Sequence, residues 1–315
     1  MSEGRNSAEH RVLVLGAASV DVKIYPRYQT VEPAYSNPST IRWGWGGVAR
    51  NIAENLARLG AEVHFITAVG DDQLGRLLLQ PLHDLGIHTD ASLVVAGKPT
   101  SSYAALYHRA KQPWLAFEDM NLMREITPGH IYRLRGLVKS VDMVCLDANL
   151  SARTLETLFR LTRHYDVPVC VDPTTALLAP RLHPYLPDIT VITPSKEEAE
   201  SLLGAPFDTA DAISAGARRL VQLGVQLAVI TLGPEGLFYA TSEESGRIPA
   251  FPVNAVDPIG AGDALTAAVA YGLLEDVSPE EAVRLGITAA TQTVLCHETV
   301  CPTLSLEMLY ERLVL

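Results

Sequence analysis

Arg11-Val12-Leu13-Val14-Leu15-Gly16 is a short apolar run closed by a glycine. Leucine and valine without polar alternation suit a strand covered on both faces, which is how parallel sheets read. Runs of this kind recur at 63–69, 143–146, 167–171, 189–192 and 227–232. Between them, segments 49–59, 75–85, 152–164, 196–203 and 210–223 carry apolar residues at helical spacing. Strand and helix alternate, so the expected fold class is α/β. It is a mostly parallel central sheet flanked by helices, with ligands gathering beyond the carboxyl ends of the strands.

Two stretches break the alternation. Segment 25–45 mixes prolines, aromatics and polar residues without helical period. Segment 93–117 alternates as antiparallel strands do, for example in Ser102-Tyr103-Ala104-Ala105-Leu106-Tyr107. With bounds of about 23–45 and 93–118, the two are expected to form a small β-sheet lid on one domain spanning 11–315; long surface loops are the plainer alternative, and loops of this length are uncommon in compact domains. From residue 261 onward the chain reads as mostly helical.

At 315 residues the chain is long enough for two domains, or for one large α/β domain with an insertion. Apolar residues make up 48%, enough for a substantial core. Lys and Arg number 25 against 36 Asp and Glu, a net charge of −11, which argues against a nucleic-acid surface built on clustered cations. Apolar runs fall short of the roughly 20 residues that span a bilayer. Residues 1–10 are polar and lack the apolar centre of a secretory signal, so a cytoplasmic location is expected. Cys145, Cys170, Cys296 and Cys301 form no C-x-x-C pair and read as reduced core thiols. His108 and His130 read as surface or lid residues without catalytic roles.

The chemistry concentrates in Asp257-Pro258-Ile259-Gly260-Ala261-Gly262-Asp263-Ala264-Leu265. Small residues at 260–262 open an alanine-rich run with the composition of a buried helix. A helix start offers unpaired N–H groups and partial positive charge, so Gly260, Ala261 and Gly262 suit an anion hole for a transferring phosphoryl group. Asp263 then stands where a carboxylate can take the proton of an acceptor hydroxyl. The same residue equally suits a first-turn carboxylate that complements the helix dipole. A second glycine-rich helix entry, Gly44-Trp45-Gly46-Gly47-Val48-Ala49-Arg50-Asn51, leads to a helix that Gly60 ends. Main-chain groups at Gly46 and Gly47, with the amide of Asn51, suit sugar hydroxyls. Asp21, just beyond the first strand, can accept from a diol or serve as a loop carboxylate.

These segments, in this order, resemble the PfkB family of carbohydrate and nucleoside kinases, which has the ribokinase-like fold. The likeness runs from about residue 12 to about 309 and includes Gly60 and Gly70 at the expected spacing. It implies Asp263 as base, Gly260, Ala261 and Gly262 as anion hole, and Asp21, Gly46, Gly47 and Asn51 as sugar ligands. Within the family the likeness is nearest to members that phosphorylate pseudouridine. It is carried by Ser36-Asn37-Pro38, Ile41, Thr100-Ser101-Ser102-Tyr103, Asp119-Met120-Asn121, Asp147-Ala148-Asn149-Leu150-Ser151 and Val171-Asp172-Pro173. The implied acceptor is the 5′-hydroxyl of that nucleoside. A pocket selective for pseudouridine needs an acceptor facing its N1–H, and Ser102, Asn121 and Asn149 are the candidates.

The resemblance also implies ATP as phosphate donor. Thr231, Gly233 and Gly236 match the family's nucleotide-binding turn, which a bare strand-to-strand turn would also fit. Glu198 matches the glutamate that positions hydrated Mg²⁺. Ser195 stands where relatives carry asparagine; it also suits a capping box with Glu198. Ile259 replaces a common threonine. Many relatives bind potassium beside this loop, in the part matching Asp257, Ile259 and about 294–302, so a K⁺ site at Asp257 is an expectation of the likeness. A homodimer formed through the lid is the expected assembly.

Overall fold

The apolar runs become strands and the periodic segments become helices in a computed structural model of the chain, which describes residues 10–28, 30–107 and 113–313. The first third comprises β1 (Arg11–Leu15), β2 (Ser19–Pro26), β3 (Ser39–Gly46), α1 (Val48–Leu59), β4 (Glu62–Ile66), β5 (Ala68–Gly70) and α2 (Gln73–Asp84). The middle adds β6 (Leu93–Val95), β7 (Ser102–Tyr107), β8 (Pro113–Asp119), α3 (Pro128–Arg133), α4 (Arg135–Ser140), β9 (Met143–Asp147), α5 (Ala152–Tyr165) and β10 (Val169–Asp172). The remainder comprises β11 (Val191–Ile192), α6 (Lys196–Leu203), α7 (Ala210–Gln222), β12 (Leu227–Thr231), β13 (Leu237–Ala240), β14 (Ser245–Ile248), α8 (Ala261–Leu274), α9 (Pro279–Val294) and α10 (Leu306–Leu313). His108 lies outside the described residues.

The large sheet has the order β14-β13-β12-β11-β10-β9-β1-β4. Its pairs are parallel from β4 to β12, and β13 and β14 add an antiparallel edge. Both faces are covered, as the unbroken apolar strands require. Val12 and Val14 pack with Ile52, Leu56, Leu265 and Val269 of α1 and α8. Leu13 and Leu15 point the other way, into a core with Leu158 of α5 and Leu220 of α7. Helix α8 is apolar on all sides and buried over most of its length, which its alanine-rich sequence allows.

The two interrupting segments meet in a separate four-stranded sheet of order β3-β2-β7-β8. The 93–118 stretch divides, because β6 leaves that sheet and pairs in parallel with β5. Among the described residues no helix is long and apolar enough to cross a membrane. The cysteines are free thiols, and Cys296 Sγ lies 2.7 Å from Cys301 Sγ.

Candidate active site

The site is built where α1 and α8 begin. Gly47 precedes α1 with φ 96° and Gly260 precedes α8 with φ 89°, and neither helix start carries a side-chain cap. A side chain at Gly47 would run into the backbone of Ala17 and Ala18, and one at Gly260 into the carbonyl of Thr299. Ala261 N–H bonds Pro258 O at 3.3 Å. Among the described residues the amides of Gly262 and Asp263 find no protein acceptor, as expected of a first helical turn.

Asn51 joins the two helix starts, its Nδ2 donating to Asp263 Oδ2 at 2.7 Å. The amide is held in that sense because its Oδ1 accepts from Arg50 Nη1 at 3.0 Å and lies 3.3 Å from Thr299 Oγ1. Thr299 itself donates to Trp45 O at 2.8 Å, tying the 294–302 loop to β3. Asp263 Oδ1 is left for another partner. Sequence reading missed Thr299, since a contact spanning 248 residues leaves no local spacing, and missed Arg50 although it adjoins Asn51.

Five buried or half-buried carboxylates collect at the strand ends around this junction: Asp21, Asp147, Asp172, Glu198 and Asp263. Burial pushes Asp263 up from 3.8 to about 7; the Asn51 hydrogen bond opposes the rise, and Asp147, Asp21 and Glu198 add to it. Burial likewise raises Asp21 to about 6, against the bond from Ser19 Oγ at 2.8 Å and the charges of Lys23 and Arg50. Gly46 lies against the Asp21 carboxylate, where a side chain would not fit. Asp147 is raised by burial and accepts from Ala17 N at 2.7 Å and Asn149 N at 2.9 Å, so it fastens loops rather than facing a ligand.

Burial also raises Asp172 and Glu198; the charges of Glu198 and Asp263 add to the rise at Asp172, and that of Glu197 adds to the rise at Glu198. Such clustered charge beside a helix start fits a hydrated Mg²⁺, which commonly takes one or two carboxylates plus phosphate oxygens. Ser195 and Glu198 also form a capping box on α6, with Ser195 N–H donating to Glu198 Oε2 at 2.8 Å and Glu198 N–H to Ser195 Oγ at 3.3 Å.

The Asp257 carboxylate already has a cation beside it. Lys23 Nζ of β2 lies 2.5 Å from Asp257 Oδ2, both side chains being 8% exposed, and Ile259 N–H donates to Oδ1 at 3.0 Å. The Val294 carbonyl already receives Val256 N–H at 2.6 Å and Asp257 N–H at 3.3 Å, which occupies both its lone pairs.

The base-reading candidates are not brought together. Register pairs Asp21 with Tyr103 and Val20 with Ser102, so alternation sends exposed Ser102 to the outer face of the small sheet and Tyr103 to the face of Asp21. Asn121 is exposed and bonded to Asp119 Oδ1 at 2.7 Å. Asn149 is half-buried beside Asp147, and its backbone N–H donates to that carboxylate at 2.9 Å. Thr231 ends β12 next to Ser195, and Gly233 and Gly236 bracket the turn to β13. A cleft of about 620 Å³ opens alongside, with Asp21, Lys23, Tyr25, Trp45, Arg50 and Thr299 on its walls.

The model of the pfkB family of carbohydrate kinases matches residues 9–304. The pseudouridine kinase of Escherichia coli (strain K12) is 31% identical over 296 residues, 94% of each chain. The guanosine-inosine kinase of Exiguobacterium acetylicum is 30% identical, over 92% of this chain and 96% of that one. The structure of Arabidopsis thaliana ribokinase complexed with ribose and ATP superposes with a TM-score of 0.84 at 24% identity, covering 98% of this chain and 99% of that one.

Proposed function

The chain belongs to the PfkB family of carbohydrate kinases, and from that membership we propose that it transfers the terminal phosphoryl group of ATP to the 5′-hydroxyl of pseudouridine. The observation that carries the chemistry is the Asn51–Asp263 bond between two uncapped helix starts. Asn51 holds one oxygen of the base, leaving the other for the acceptor hydroxyl. As that hydroxyl oxygen bonds to the γ-phosphorus, the bond to the ADP leaving oxygen breaks and the proton passes to Asp263. Charge on the transferring group meets the amides that follow Gly260 and the positive end of α8. A base pushed up to about 7 is matched to work near neutral pH.

Asp21 and Asn51 take the sugar, with Gly46 and Gly47 admitting its hydroxyls to the backbone. Ser195, Thr231, Gly233 and Gly236 receive the nucleotide. Mg²⁺, held through water by Glu198, supplies charge neutralisation of the phosphates when bound. For the base, Asn149 is the candidate we favour: it is half-buried at the strand ends beside Asp147, and its side-chain carbonyl can accept from the N1–H of pseudouridine. A homodimer through the small sheet is supported by its outer face, where Ile41, Trp43, Leu115 and Phe117 are exposed; light scattering at twice the chain mass tests it.

The deciding assay is ADP release with pseudouridine, uridine, adenosine, guanosine, inosine and ribose as acceptors. Highest kcat/KM for pseudouridine is expected. Equal or greater turnover of another acceptor would keep the kinase and remove the named substrate. A chain that binds nucleoside without turnover would be a sensor.

A further inference from the structure

We propose that the Lys23 ammonium is a built-in monovalent cation for the loop ahead of the anion hole, so that phosphoryl transfer by this chain does not depend on added potassium. The inference rests on the kinase reading of Asp263 and deepens it. Asp257 stands three residues before Gly260, and its two oxygens are shared between Lys23 Nζ and Ile259 N–H. The carboxylate therefore turns the peptide that leads into Gly260 while its own charge is cancelled by a side chain rather than by an ion. The partner arrives from the small sheet, 234 residues away in the chain. Its charge equals that of a potassium ion, and the Val294 carbonyl beside it already accepts from two amides.

Lys23 also lines the cleft. Removing its charge leaves a buried carboxylate open to ions from that side, and an uncompensated buried charge recruits a counter-ion or a proton. Lys23 is thus a positioning residue whose loss an ion of suitable size can repair. An ordinary packing role offers no such repair.

The test uses the full-length chain as wild type and as Lys23→Met, which keeps the length of the side chain without its charge. Initial rates of pseudouridine phosphorylation are measured while potassium replaces tetramethylammonium at constant ionic strength. Wild type is expected to vary by less than about twofold. Lys23→Met is expected to lose on the order of tenfold or more without potassium, the scale of a lost electrostatic contact at an anion hole, and to recover with potassium or ammonium. The melting temperature of the substrate-free protein supplies a readout apart from activity: potassium should raise it in Lys23→Met and leave wild type unmoved.

Potassium activation of the wild type would overturn the proposal whether or not the variant folds. So would a folded Lys23→Met that responds to neither ion. If the wild type phosphorylates no acceptor, it is the kinase reading that fails, and the melting shifts still decide the cation question.

Discussion

Most helix starts among the described residues close on a side chain of the residue before them, whereas two open on a glycine at positive φ. Asp72, Thr127, Ser151, Ser195, Thr209 and Ser278 each bond a first-turn amide of α2, α3, α5, α6, α7 and α9. Helices α1 and α8 instead follow glycines at positive φ and have no side-chain cap. Those two starts are the pair that Asn51 and Asp263 bind together. At α1 the first-turn amides of Ala49 and Arg50 are met from outside the helix, by Asp147 Oδ2 at 3.3 Å and Ala17 O at 3.1 Å, whereas at α8 the amides of Gly262 and Asp263 find no acceptor among the described residues. The donors left open at α8 are where we propose that the chemistry is done.

The comparison breaks most visibly at Asp263. Asp263→Asn is expected to lower kcat by roughly 10²- to 10⁴-fold, as measured by steady-state ADP release. The folded-state value of about 7 lies above the ordinary 3.8. Between those values the native state binds the proton more tightly than the unfolded state, so stability falls as pH climbs from about 4 to about 7 and the penalty is complete above that. Asp263→Asn should therefore melt no lower than wild type at pH 8, and a large drop there would mean that the carboxylate serves the fold.

The glycines separate conformation from access. Gly260→Ala is expected to destabilise by about 1–3 kcal/mol, because its φ of 89° and the Thr299 carbonyl both oppose a side chain. Gly262→Ala meets nothing in the protein. It should stabilise α8 by roughly 0.5–1 kcal/mol and yet lower kcat about tenfold or more by standing where the phosphoryl oxygens approach. Unchanged kcat in Gly262→Ala would remove the anion hole from this turn.

The acid limb of kcat/KM should have its midpoint near 7, the value to which Asp263 is pushed. Asn51→Leu removes the bond that favours the ionised form, so the limb moves to higher pH; a shift downward would contradict the assigned direction. The smallest effect belongs to the closed starts. Ser195→Ala should cost about 1 kcal/mol of stability through its lost cap, and a rise in the KM for ATP beyond that would give Ser195 a share in nucleotide binding.

Much of this was legible before any coordinates. Strands at 12–15, 143–146 and 227–232 announced themselves because a sheet covered on both sides tolerates no polar alternation. The motif at 257–263 and the glycines at 46 and 47 are local, so their backbone consequences are local too. What stayed hidden depends on pairing at a distance. Ser102 and Tyr103 are adjacent in sequence, and only the register with β2 decides which of them shares a face with Asp21. Lys23 with Asp257, and Thr299 with Trp45 and Asn51, join residues more than 230 positions apart, and composition carries no trace of such meetings.

The Thr299 bridge sets a timetable for the newborn polypeptide. Two glycine-led helices can form as soon as their own residues emerge, but the amide that aims the base is clamped by a hydroxyl made only after both of them. Closing so large a loop is among the slower steps of folding. A nascent chain that has not yet reached Thr299 therefore carries both glycine-led motifs and lacks the clasp between them.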